Sequence, residues 1–221
     1  MEEQIHETLP ETKMEVEPTK VKVKKKKMNP PDPMKNEQEH LTYEQIKAII
    51  DACDNLRDKA LIVTLAKTGR RVSEVVKSLK VGDIDFNEGV IYFKILKKKY
   101  DKKERFFVDK EVLDILKEYL KTAELKNDNV FDITRQRVDQ IFKKLCYSVG
   151  ITKIGEHKPH IHVLRHSYAI EYAKRAGNPA DIVQLKNQLA HSKLETTMFY
   201  LRFRRDWNDV MSKMWEGRSF T

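Results

Sequence analysis

The chain has 221 residues and a formal net charge of +9, from 43 Lys and Arg against 34 Asp and Glu. That length suffices for one good core with a tail or small subdomain, and the positive excess favours a polyanion, nucleic acid first and an anionic membrane surface second, although a lysine-rich solubility surface gives the same total. The two cysteines, Cys53 and Cys146, sit in apolar periodic segments and read as buried thiols in a reducing compartment rather than as a disulfide framework; no apolar run reaches membrane-spanning length and the first residues do not read as a signal peptide.

Residues 1–36 predict a disordered, charged tail. They hold five of the seven prolines and contain neither an aromatic residue nor a glycine. Glu2, Glu3, Glu7, Glu11, Glu15 and Glu17 come first, followed by a basic block of Lys20, Lys22 and Lys24 to Lys27. So little apolar surface cannot offset the entropy of ordering. The tail reads equally as an arm for DNA phosphates and as an inert linker.

The folded part, residues 37–205, begins with Leu41. Thr42 and Gln45 match a capping box, and Ile46, Ile49, Ile50 and Cys53 repeat at helical spacing. A second helix is expected from Leu56 to Lys67, stopped at Thr68-Gly69 with the glycine in the left-handed end position. Arg70 to Val76 opens a third. Val81 to Phe86 reads as short and extended, Asn87-Glu88-Gly89 as a turn, and Val90 to Leu96 as the best strand. Glu104 to Val108 is its hairpin partner.

Beyond the hairpin the pattern is helical. Asp109 caps a helix over Glu111 to Lys121, and Thr134 caps one carrying Val138, Ile141, Phe142, Leu145 and Val149, ended by Gly150. Further helices are expected at His162 to Ala176, Pro179 to Ala190 and Leu194 to Arg202, the last opened by a capping box of Ser192 and Glu195. Residues 206–221 predict a C-terminal tail helix whose Trp207, Met211, Met214 and Trp215 form an apolar stripe. The layout is mainly α with a small antiparallel β-sheet, an α+β fold.

The chemistry gathers between His160 and Tyr200. His162 and Arg165 stand three apart, on one helical face; His191 and Tyr200 stand nine apart, across a turn and a helix start. His, Arg, His and Tyr in this pattern have no metal-ligand spacing. They do supply charge clamps, proton carriers and a nucleophile for phosphoryl transfer to a tyrosine. Taken singly, Arg71 reads as a solvated charge, His162 and His191 as ordinary histidines, Tyr200 as core, and Lys97 to Lys99 as a solvated hairpin loop. Their conjunction, in order in one basic chain, gives the functional reading.

Three motifs carry a resemblance: Thr68-Gly69-Arg70-Arg71-Val72-Ser73-Glu74, His162-Val163-Leu164-Arg165-His166, and Leu189-Ala190-His191-Ser192 through to Phe199-Tyr200. From about Leu41 to Arg205 the chain resembles the catalytic domain of the tyrosine recombinases, the phage-integrase and Xer-type family. The resemblance implies that family's fold and a site-specific recombinase or integrase of a mobile element or virus. Such an enzyme cleaves and rejoins double-stranded DNA through a covalent 3′-phosphotyrosine, with no metal or other cofactor, as a homo-tetramer on its DNA. The implied setting is the cytoplasm, in a prokaryotic, archaeal or viral context.

The same resemblance implies the roles. Arg71 and Arg165 offer forked donors to the non-bridging oxygens, His162 accepts a proton, His191 hydrogen-bonds the phosphate and Tyr200 attacks it. A hairpin lysine protonates the leaving 5′-hydroxyl, with Lys97 preferred over Lys98 and Lys99. Glu74 and His166 support the site, and Lys98, Lys99, Lys103 and Arg105 contact DNA. Ala190 replaces the family's usual glycine, a change that a helix end should tolerate. Because 36 tail residues stand where the family usually has a DNA-clamping domain, the isolated protein is expected to be monomeric and to recombine weakly, with segment 206–221 exchanged between protomers on DNA. Two rival readings are a type IB-like nicking-closing topoisomerase, disfavoured by the Thr-Gly-x-Arg and His-x-Leu-Arg-His wording, and a non-cutting DNA-binding accessory protein. The intact set of Arg71, His162, Arg165, His191 and Tyr200 argues against the second.

Overall fold

The fold opens with the capping box that the sequence predicts. Thr42 Oγ1 accepts from the Gln45 N–H at 3.3 Å, Gln45 Oε1 accepts from the Thr42 N–H at 3.0 Å, and α1 runs Tyr43–Asp51. The computed structural model describes residues 39–95, 103–125, 127–191 and 193–203. The tail 1–36, Lys97, Lys98, Lys99, Ser192 and the segment 206–221 lie outside these described residues.

Helix α2, Leu56–Thr68, is the hub: it packs against α1 and against two helices further along the chain, α4 (Lys110–Thr122) and α6 (His162–Arg175). A helix covered from several sides must be apolar on several faces, and Ala60, Leu61, Ile62, Val63 and Leu65 are all buried. Gly69 ends α2 with φ 60, where a Cβ would stand 2.3 Å from Tyr168 Cδ1. Glycine is therefore required there twice, by backbone and by space. Helix α3, Val72–Ser78, follows at once.

Val81–Asp83 forms a 3-10 turn instead of the expected extended segment, which leaves Ile84–Asp85 as the short strand β1. Asp83 accounts for the difference. Its carboxylate accepts from the Lys80 N–H at 3.0 Å and pairs with Lys103 Nζ, so the side chain closes the turn locally. Strands β2 (Val90–Lys94) and β3 (Lys103–Phe107) complete an antiparallel sheet of order β1-β2-β3, with Tyr92 opposite Arg105 and Ile91 opposite Phe106. Alternation puts Ile91, Phe93 and Phe106 into the core and leaves Tyr92 and Phe107 exposed.

Helix α5 is Arg135–Ser148 and α7 is Pro179–Gln188. α7 stops short of the expected Ala190, which takes a left-handed φ of 48. The Ala190 N–H donates to Asn187 O at 2.9 Å and the His191 N–H to Lys186 O at 3.0 Å. The helix thus closes in the manner that favours glycine, and Ala190 is strained rather than comfortably placed at a helix end. Helix α8 is Glu195–Met198, running on as a 3-10 turn over Phe199–Phe203. Leu194 occupies its cap position with no side-chain bond, so Glu195 is the first helical residue and not the third, as a Ser192 cap would require.

The main core joins the helices to the inner sheet face; a second cluster gathers Ala169, Ile170, Ala173, Leu185, Leu189 and Tyr200. Burial pushes the thiols of Cys53 and Cys146 up to about 11 and about 12, so neither is a nucleophile at neutral pH. Among the described residues no helix is long and apolar enough to cross a membrane.

Ala190 and Gly69 should respond oppositely to substitution. Ala190→Gly removes a left-handed cost of about 1–2 kcal/mol and adds glycine's entropy of about 0.5–1 kcal/mol, for a net gain near 0.5–1 kcal/mol. Gly69→Ala should cost about 2 kcal/mol or more, because the strain is compounded by the Tyr168 ring. Urea unfolding of both variants checks the pair; a less stable Ala190→Gly chain would mean that the turn is unstrained.

Candidate active site

Arg71 precedes α3, and Glu74 in the first turn reaches back to it. Glu74 Oε1 accepts from Arg71 Nη1 at 2.9 Å and Oε2 from the Arg71 backbone N–H at 3.2 Å. One buried carboxylate thus caps the helix and aims the guanidinium, in the place where the helix dipole favours negative charge. The Arg71 side chain keeps 20% of its surface exposed, against 1% for Glu74.

Arg165, the fourth residue of α6, is 4% exposed. Its Nη1 donates to Gly69 O at 2.7 Å and its Nη2 to Leu189 O at 2.5 Å. The guanidinium therefore pins together the carbonyl ends of α2 and α7, where a cation is favoured. Burial, and next the charge of Arg71, pushes Arg165 down to about 10, so it stays cationic at neutral pH.

Arg71, Arg165, His162 and His191 line one cleft of about 550 Å³, together with Ile95, Glu104, Lys186 and Thr196. His162 is the first residue of α6 and is exposed. Desolvation, then the charges of Arg165, His160 and Arg71, pushes its imidazole down to about 4. At pH 7 the ring is neutral and can accept a proton. His191 is held through Nδ1, 2.8 Å from Thr197 Oγ1, so the turn after α7 and the start of α8 fix its ring jointly.

Tyr200 stands apart from that wall. The ring is 8% exposed and belongs to the second core cluster, with its hydroxyl 3.2 Å from His166 Nδ1. Burial raises the phenol, and the charge of Arg165 opposes the shift. The structure thus gathers Arg71, His162, Arg165 and His191, and docks the fifth residue on α6 through the neighbour of Arg165.

The model of the phage integrase family matches residues 39–205. The chain belongs to that family. It is 31% identical over 167 residues to the tyrosine recombinase XerA of Pyrococcus horikoshii, covering 73% of this chain and 56% of that one, and 33% identical over 158 residues to XerA of Saccharolobus solfataricus, covering 71% and 49%. The chain spans about half the length of these relatives. Among solved structures, the catalytic domain of bacteriophage HP1 integrase matches with a TM-score of 0.58 at 25% identity, over 79% of this chain and 93% of that one. XerH recombinase bound to its difH substrate in a pre-cleavage complex matches with a TM-score of 0.61 at 24% identity, over 79% and 52%.

The family match spans all three motifs, yet the hairpin residues behave differently from them. Lys103 is engaged by Asp83, and Arg105 lies on the outer sheet face, 4.7 Å from the centre of the Phe107 ring and 3.5 Å from Glu88. The β3 residue that reaches the cleft is Glu104, between them. Sequence reasoning gave no site role to Arg70, Lys186 or Thr197. Thr197 was findable, since it follows His191 by six within the third motif. Arg70 was not, because adjacent arginines look alike until one of them is buried.

The His162 resonances of the free protein should titrate near pH 4 by NMR, with the ring neutral above that. A midpoint near 6.5 would show that neither desolvation nor the arginines act on the ring.

Proposed function

We propose that the chain is the catalytic domain of a site-specific DNA strand-transferase, which breaks and rejoins DNA through a 3′-phosphotyrosine. The observation that carries this reading is the convergence of Arg71, His162, Arg165 and His191 on one cleft, with Tyr200 docked on the helix that bears two of them. A phosphodiester entering the cleft meets two guanidiniums whose forked donors suit its non-bridging oxygens. His191 adds a further hydrogen bond to the phosphate.

Tyr200 exchanges its His166 contact for the phosphorus and attacks. Its proton passes to the neutral imidazole of His162, and the incoming phosphate charge raises the basicity of that ring. The bond to the 5′-oxygen breaks, and that oxygen takes a proton from Lys97 on the hairpin loop, ahead of Lys98 or Lys99. No water is consumed, so the tyrosyl ester retains the bond energy, and attack by a 5′-hydroxyl reverses each step to rejoin the strand.

Double-stranded DNA is the partner, and a relative of the same fold, XerH, has been solved bound to its difH substrate. Lys98, Lys99, Lys103 and Arg105 are read as contacts for phosphates beside the scissile one, Lys103 and Arg105 by giving up Asp83 and Glu88 for the DNA backbone. The working assembly is a homo-tetramer on DNA, in which segment 206–221 docks on a neighbouring protomer. Its setting is the cytoplasm of a prokaryotic, archaeal or virus-infected cell, on behalf of a mobile element.

A nicked suicide DNA substrate carrying the target site tests this reading by trapping a covalent adduct. Tyr200→Phe should abolish the adduct while leaving DNA affinity within about threefold, because phosphate contacts and not the phenol supply the binding. Arg165→Lys should slow cleavage by about a hundredfold or more, since a point charge cannot reproduce the fork. An adduct that persists in Tyr200→Phe would move the nucleophile elsewhere, and near-normal cleavage by Arg165→Lys would make that arginine purely structural.

A further inference from the structure

Arg70 heads the fully buried side chains, with 1% of its surface exposed. Its guanidinium carbon lies 4.7 Å from the centre of the Phe93 ring on β2 and 5.2 Å from that of Phe106 on β3. Nη1 donates to Gln188 O, at the end of α7, at 3.1 Å, and stands 4.0 Å from Glu74 Oε2. Among the described residues Nε has no hydrogen-bond partner.

Such a placement contributes little to stability. Desolvation of the guanidinium outweighs what its partners return, which are one carbonyl, the Glu74 carboxylate at 4.0 Å and the charge of Glu104, and it holds Arg70 below the usual arginine range. An unbranched apolar side chain would fill the slot between two phenylalanine rings without that cost. What an apolar side chain could not do is link direction to position. A guanidinium whose carbon lies over two rings set at 83° to each other, and whose Nη1 donates to Gln188 O, ties the sheet to one particular carbonyl.

The three things Arg70 touches each carry part of the site. Phe93 and Phe106 form the base of the β2–β3 hairpin. Glu74 aims Arg71. Gln188 adjoins Leu189, whose carbonyl holds Arg165, and lies three residues before His191.

We propose that Arg70 is a positioning residue. It clamps the base of the hairpin to the end of α7, and so sets the hairpin's proton donor against the phosphate that Arg71, Arg165 and His191 hold. This rests on the reading above, in which a hairpin lysine protonates the leaving oxygen.

The test compares two suicide substrates at the same site. One has the ordinary phosphodiester; the other has a 5′-bridging phosphorothiolate, whose sulfur leaves without needing a proton. Arg70→Met should keep or raise the melting temperature and cleave the ordinary substrate at least about tenfold more slowly, within the range that general-acid catalysis supplies. On the phosphorothiolate it should stay close to the parent rate. Arg70→Lys should behave alike, because a compact ammonium on one stem cannot lie over both rings and also reach the Gln188 carbonyl as the forked guanidinium does. The double variant Phe93→Leu, Phe106→Leu gives the same pattern with Arg70 intact.

Equal losses on the two substrates would make Arg70 a support for the site at large and overturn the proposal. So would an unchanged rate on both, or an Arg70→Met chain that fails to fold. The parent chain and its Lys97→Ala, Lys98→Ala and Lys99→Ala variants separate this from failure of the underlying reading. A parent that forms no adduct on either substrate sinks the cleavage reading itself. A parent that cleaves both, with no lysine variant rescued by sulfur, sinks the proton-donor assignment and the proposal with it.

Discussion

The site depends on one buried guanidinium bridging two helix ends. Arg165 takes the carbonyl of Gly69, 96 positions away in sequence, and that of Leu189, 24 positions away. Helix termini leave carbonyls without intrahelical partners, and buried ones must find donors elsewhere. Here a single side chain supplies them, with the left-handed residues Gly69 and Ala190 turning the backbone just beyond each helix end. The position of the phosphate clamp is therefore set by main chain on two sides. Arg71, His191 and their turns follow from the same junction.

A second economy runs through Glu74. Buried at the start of α3, it satisfies a backbone N–H, aims Arg71 and lies at the edge of Arg70's reach. The cations so collected act on His162, Arg165 and Tyr200. They help to depress His162 and Arg165, and Arg165 opposes the upward shift that burial imposes on Tyr200. Desolvation, aided by that field, thus keeps the acceptor neutral, while the same field offsets part of the rise that burial imposes on the donor.

What was legible in the sequence was local. The Thr42–Gln45 box, the stop at Gly69, the hairpin of β2 and β3 and the caps at Asp109 and Thr134 each depend on residues a few positions apart, and each forms. The motifs were legible for a related reason, since His162 and Arg165 share a helix turn. What escaped depends on tertiary neighbours. The turn at Val81–Asp83 is held partly by Lys103, twenty residues on. The left-handed backbone of Ala190 follows from how α7 must close to present Leu189 to Arg165. Tyr200 looked both catalytic and core-like, and it is buried against α6 while its hydroxyl meets His166.

The crowding of Arg70, Arg71 and Arg165 around so few carboxylates has a further consequence. Burial first, then Arg71 and to a lesser extent Arg70, weakens the hold of Arg165 on its proton, with Glu74 opposing. Among the described residues the cleft sets Arg71, Arg165 and Lys186 against Glu104 alone, an excess of cation that a bound phosphodiester would offset. Stability of the free chain and readiness for its substrate then pull in opposite directions. Selection for a hardier resting protein would erode that surplus first, whereas selection for turnover would keep it.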